Sequence, residues 1–279
     1  MALPASKPIS GNNAIEKLVC GIVFAHPLPE EALTHMRTAL DELKGELPGH
    51  SEERQMAALP PGVPVEITQL IGRGSVRHAR FFTGPDGVVK WRLVVSQELI
   101  SLECGEFTGK SEFFEKLKKF INPILLALTQ NNLNVALREI GLHVIDKFSY
   151  GANFEKENYS AKEIFNDNSG YLTKNAFATE LFWHVFQGWF ENCADSEHKL
   201  LQQLNIQNTE INPITKDIAT IIEHQLMHQI RNNSITISDL LDDGDFEFVK
   251  FFEILYEKNI KIIKELLNEE KLKQIGFEA

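Results

Sequence analysis

The chain has 279 residues, 43% of them hydrophobic and 24% charged, ordinary usage that excludes a disordered or fibrous polypeptide. Lys and Arg number 28 against 39 Asp and Glu, and the net charge of −11 argues against broad adhesion to nucleic acid or anionic membrane. The length allows one large domain or two small ones.

Cys20, Cys104 and Cys193 are far apart and odd in number. They read as reduced thiols rather than a disulfide framework, and without a Cys-x-x-Cys pair nothing suggests a thiolate zinc site. The start of the chain lacks the apolar core of a signal peptide, and the most apolar stretch, residues 121–128, is too short to span a bilayer. These features predict a cytoplasmic protein with no membrane partner.

Residues 1–13, with their Pro, Ser, Gly and Asn, predict a flexible tail whose removal leaves stability unchanged. Residues 18–25 suit a buried strand. Pro29 followed by Glu30 and Glu31 opens a helix whose face is Leu33, Met36, Leu40, Leu43 and Leu47, stopped by Pro48-Gly49. Val63, Val65 and Ile67 alternate as a strand, and residues 80–82 continue the β signal. Gly84-Pro85-Asp86-Gly87 supplies hairpin chemistry, and Val89, Trp91, Leu93 and Val95, then Ile100, Leu102 and Cys104, alternate after it. Ser111 can cap a second helix with Phe114, Leu117, Ile121, Leu125 and Leu128 on one face, kinked or ended by Pro123.

Residues 135–148 read as a long strand with Ile140, Leu142, Val144 and Phe148 on one side. Residues 150–175 form an irregular connection with one short helix at 161–165, and residues 177–190 are unusually aromatic. Residues 200–205 and 218–230 are strands or short helices. Phe248, Phe252, Leu255, Asn259, Ile262 and Leu266 then mark a long amphipathic helix, with Glu257 and Lys261 paired on its outer side.

This order predicts an α+β fold: an antiparallel sheet, strongly curved or in two halves, packed by two or three long amphipathic helices including a C-terminal one. The domain expected is 14–279, with any sub-halves meeting near 150–176.

Few residues suggest chemistry. His224 and His228, behind Glu223, would share a helix face, but the order differs from the zincin His-Glu-x-x-His. On a strand they would stand about 13 Å apart, too far to share an ion. Half-buried histidines on a sheet are the favoured reading, with no metal and no cofactor. Asp242, Asp243 and Asp245 do not match a calcium loop; helix capping by Asp245 accounts for them better. Gly72-Arg73-Gly74-Ser75 with Arg77, His78 and Arg80 lacks a phosphate-loop frame and reads as a flexible basic turn. The aromatic segment offers either a strand buried on both faces or a pocket. Its candidate binding residues are Trp183, His184, Gln187 and Trp189, with Asn205 and His224 nearby.

Several loose patterns, taken in order, resemble one family. They are Cys20-Gly21-Ile22-Val23-Phe24, Trp91-Arg92-Leu93-Val94-Val95 before the helix near Phe113–Phe120, Ile140-Gly141-Leu142-His143-Val144-Ile145-Asp146-Lys147-Phe148, and the block from Trp183-His184 to Trp189-Phe190. Together they look like a family of sporadically distributed bacterial proteins of unknown function, over nearly the whole chain from Glu16. Many members carry an Arg-Tyr-Ile-Asn-like stretch where this chain has His143-Val144-Ile145-Asp146. The resemblance implies a cytosolic accessory protein of mobile or defence-related loci and transfers no catalytic residues.

The expectation is therefore a non-enzymatic binding or regulatory protein that recognises a protein partner or small ligand. The alternatives are a metal-assisted hydrolase built on His224 and His228, or a homo-oligomer assembled through its final helix.

Overall fold

In the computed structural model, which describes residues 6–9, 11–54, 76–150, 159–178, 181–192, 198–212, 217–232, 234–244 and 247–277, two strands come first: β1 (Lys7–Pro8) and β2 (Ile15–Phe24). Helix α1 (Glu30–Glu42) follows Pro29, has Glu30 and Glu31 in its first turn, and buries Leu33, Met36 and Leu40 as the spacing requires. Strand β3 (Gly49–Arg54) was not foreseen, because Gly-His-Ser-Glu-Glu-Arg has no apolar residue to reveal it. The expected strand at 63–67 lies outside the described residues, as do Gly72 to Ser75.

Strand β4 (Val76–Thr83) absorbs Arg77, His78 and Arg80, so that part of the basic patch is paired backbone rather than a turn. Arg80 reaches Asp41 of α1 at 2.7 Å, and His78 is buried 3.5 Å from Glu52. The foreseen hairpin, with Gly87 at φ +78°, leads into β5 (Val89–Val95) and β6 (Leu99–Cys104).

Helix α2 (Lys110–Gln130) has Gly109 at its cap rather than Ser111 and continues past Pro123. Phe120 and Ile121 on one side of the proline, and Ile124, Leu125 and Leu128 on the other, are all buried, and this packing holds the helix through the missing amide. Strand β7 (Leu137–Ser149), a single 3₁₀ turn at Ala161–Glu163 and the short α3 (Lys174–Ala178) follow. Next come strands β8 (Trp183–Asn192), β9 (Lys199–Asn212) and β10 (Asp217–Gln229), which resolves the uncertain type at 200–230. Helices α4 (Glu247–Leu266) and α5 (Glu269–Gln274) complete the described chain, and Asp245 lies outside it. Glu257 pairs with Lys110 of α2 at 2.6 Å instead of with Lys261.

The strands form one antiparallel sheet in the order β3-β4-β5-β6-β2-β7-β10-β9-β8, with β1 added against β7. The fold is therefore α+β with an antiparallel sheet. Its topology repeats. In each run a central strand (β2, β7) is followed by a connection, then by a meander (β4-β5-β6, β8-β9-β10) that returns to pair with it, then by a long helix (α2, α4). The two runs join where β2 pairs with β7, Gly21 opposite Gly141. No helix among the described residues is long and apolar enough to cross a membrane.

Two apolar clusters support this arrangement. Leu18, Cys20, Ile22 and Phe24 of β2 pack with the apolar faces of α1 and α2 in the first. Phe148, Leu204, Ile206 and Ile222 pack with Ile262, Ile263 and Leu266 of α4 in the second. Burial raises both thiols in the first cluster, Cys104 to about 12, so neither Cys20 nor Cys104 is a reactive nucleophile.

The residues expected to form a loose N-terminal tail are instead tied down in part. Lys7 and Pro8 pair with Ser149 and Phe148. Asn13 donates to the Phe107 carbonyl at 2.6 Å. Buried Lys271 of α5 donates to the Ser6 carbonyl and lies 3.7 Å from Glu163, so a buried charge from the far end of the chain holds this segment.

Candidate functional site

Strand β8 is an edge: among the described residues it pairs only with β9. Its two faces are therefore unlike, and burial on both faces does not occur. Phe186 and Phe190 are 61% and 58% exposed, and Phe182 just before the strand is 52% exposed. His184 shares this outer face and meets Asn205 of β9 at 2.7 Å, while Lys199 lies over the Phe190 ring.

The opposite face turns toward the helices. Trp183 donates its indole N–H to the Tyr159 hydroxyl and meets Phe165 edge-on. Gln187 donates to the Tyr171 carbonyl at 2.9 Å. Trp189 stacks between Tyr171 and His224, with ring centroids 5.6 and 6.4 Å away. The six residues singled out in the sequence thus divide: His184 and Asn205 on one side of the sheet, Trp183, Gln187, Trp189 and His224 on the other. They do not line a common pocket.

The inner four lead to a polar chain that starts half-exposed at Lys258 and Glu191 and ends buried at Gln202, His224 and Asn259. Lys258 of α4 donates to Glu191, Gln202 donates its amide to the same carboxylate, and the Gln202 oxygen lies 3.1 Å from His224 Nε2. Burial alone would raise the Glu191 carboxyl, but the Lys258 ammonium outweighs it and keeps the group below its ordinary range. Because Glu191 fixes the orientation of the Gln202 amide, His224 carries its proton on Nε2. Nδ1 then needs a donor. It lies 2.9 Å from the Asn259 side-chain oxygen, and a half-turn of that amide presents Nδ2 instead. Burial lowers His224 to about 4, which keeps the ring neutral.

His228 shares the β10 face but packs its ring near His198 and Phe251. Among the described residues no group of three His, Cys, Asp or Glu side chains could hold a metal ion.

Asn259 also lines a cavity of about 170 Å³ beneath α4, and here lies a residue that the sequence patterns did not single out. Asp146 of β7 is 4% exposed, and its Oδ2 has no hydrogen-bond partner among the described residues. Burial pushes its carboxyl up to about 7. The signal was present: Ile140, Leu142, Val144 and Phe148 keep a strict apolar alternation that Asp146 interrupts. Tyr256 of α4 lines the same cavity, and burial, then the Asp146 charge, raise its phenol.

No family model, curated protein or solved structure matches this chain.

Proposed function

We propose that the protein is a non-enzymatic binding or regulatory protein and that strand β8 is its recognition element. A ten-residue edge strand with Phe186 and Phe190 more than half exposed carries this reading. A sheet edge presents unpaired amides and carbonyls, and proteins usually protect it with lysine, proline or a bulge. Between Trp183 and Asn192 the sequence has no Lys, Arg or Pro, and its one acid, Glu191, is paired inward with Lys258. An extended segment of a protein partner can add to that edge through main-chain bonds, with its apolar side chains against the Phe186 and Phe190 rings. The family resemblance supplies the setting, a cytosolic accessory protein of a mobile or defence-related locus.

Self-association on the same edge is a second reading, favoured by one observation. Antiparallel pairing about Phe186 would set that ring against its own copy and Phe182 against Phe190, three aromatic contacts on one face.

Hydrogen exchange tests both. A partner captured from the native host, or a second copy at high concentration, should protect the β8 amides, and Phe186→Glu with Phe190→Glu should remove the protection. A bound partner that leaves those amides exchanging as in the free protein would sink the proposal.

A further inference from the structure

An acid as deeply buried as Asp146 is costly to ionise unless a counter-charge or several donors meet it. Among the described residues Oδ2 has no hydrogen-bond partner and no ion pair reaches Asp146. The cavity it lines contains no Lys, Arg or His among its lining residues. Besides the side chains of Asn13 and Asn259, its other walls are apolar or aromatic, chiefly Phe107, Tyr256, Ile263 and Phe277, with the Phe107 and Tyr256 rings stacked at 6.1 Å. A dry apolar cavity of about 150 Å³ admits one benzene ring, so the volume of about 170 Å³ limits a ligand to a single ring or a short chain.

The Asp146 carboxyl is the one ionisable acid among the lining residues; Asn13 and Asn259 bring amides, and apolar and aromatic side chains supply the remaining walls. The geometry points to a small primary amine with an apolar body, an arylalkylamine or a short alkylamine, held with its ammonium on the Asp146 carboxyl and its hydrocarbon against Phe107, Ile263 and Phe277. The aromatic walls add attraction for the cation, and the net charge of −11 draws cations toward the protein. Asn259 offers an amide at the same place and joins the cavity to His224. This site is separate from the outer face of β8 and does not depend on a partner there.

Thermal shift and calorimetry on the full chain, with 2-phenylethylamine and n-hexylamine as probes, test the inference. The controls are 2-phenylethanol and 3-phenylpropionate, which keep the apolar body without the positive charge. Both amines should raise the melting temperature at millimolar concentration and titrate with one site, and the controls should not. Asp146→Asn should weaken amine binding by at least about tenfold, the loss of one charge-assisted contact. Ile260→Trp, which fills the cavity from a half-buried position, should weaken it similarly. If Asp146→Asn does not fold, Ile260→Trp decides alone. The inference is overturned if neither amine binds the wild type, if 2-phenylethanol binds as tightly as 2-phenylethylamine, or if a folded variant binds the amine as the wild type does.

Discussion

Asp146 and His224 share one face of adjacent strands: Asp146 stands opposite Ile222, two residues from His224. Asn259 connects them, bonded to the imidazole and lining the cavity of the carboxyl. Burial drives both groups toward their uncharged forms, Asp146 up to about 7 and His224 down to about 4. The two shifts have opposite consequences for stability.

Asp146 has a folded pKa of about 7 against an unfolded value of about 4. The folded state therefore holds its proton over the intervening window, and stability falls as pH rises from about 4 through about 7. Asp146→Asn should be more stable than wild type at pH 8, by on the order of 4 kcal/mol at most, with the gap closing toward pH 4. Denaturant melts at several pH values measure it. A gap independent of pH would show that the carboxyl is not held protonated.

His224 behaves in the reverse sense. Its folded pKa of about 4 lies below the unfolded value of about 6.5, so stability is complete above that value and is lost as pH falls toward 4. Between pH 4 and 6.5 the two groups partly offset, and the wild type should show less pH dependence than either single variant. His224→Leu also leaves Gln202 and Asn259 without their buried partner, a loss of about 2–4 kcal/mol at pH 7. Full wild-type stability at that pH would refute the polar chain.

Deletion of residues 1–13 should lower the melting temperature by at least about 3 °C, since about 1 kcal/mol corresponds to that much in a chain of this size. Lys271 would lose its Ser6 partner, Phe148 and Ser149 would lose β1, and the Phe107 carbonyl would lose Asn13. An unchanged melting curve would restore the idea of a loose tail.

Phe186→Glu and Phe190→Glu should each change stability by no more than about 0.5 kcal/mol, as expected for exposed positions. Trp189→Ala, removing a ring packed on Tyr171 and His224, should cost about 2–4 kcal/mol. Urea melts of the three variants separate the two faces of β8. Equal losses on both faces would mean that the outer phenylalanines are packed.

The periodic helices were legible in the sequence because apolar residues spaced by threes and fours line up only when the backbone is helical. Leu33, Met36 and Leu40 mark α1, and Phe248, Phe252 and Leu255 mark α4, with Asn259 already visible as a polar residue on that seam. The hairpin at Gly84–Gly87 was equally plain from its turn residues. Strand β3 was hidden, since a strand of polar residues leaves no alternation to detect. In β8 both faces are aromatic, and alternation cannot distinguish a central strand from an edge when partners are unknown; only pairing with β9 alone decides it. The polar chain was partly visible as His224, but Gln202, Glu191 and Lys258 lie on three different elements that no sequence spacing unites.

The cavity beneath α4 has a practical consequence. Its walls include Asn13, Ala14 and Ile15 from one part of the chain and Ile275 and Phe277 from another, so residues far apart in sequence close the same compartment. Affinity tags or fluorophores attached beside either segment would press on that enclosure and distort any titration of it. The exposed β4–β5 hairpin around Pro85 and Asp86 is a safer attachment point, because the order of strands places it well away from β7 and its carboxylate.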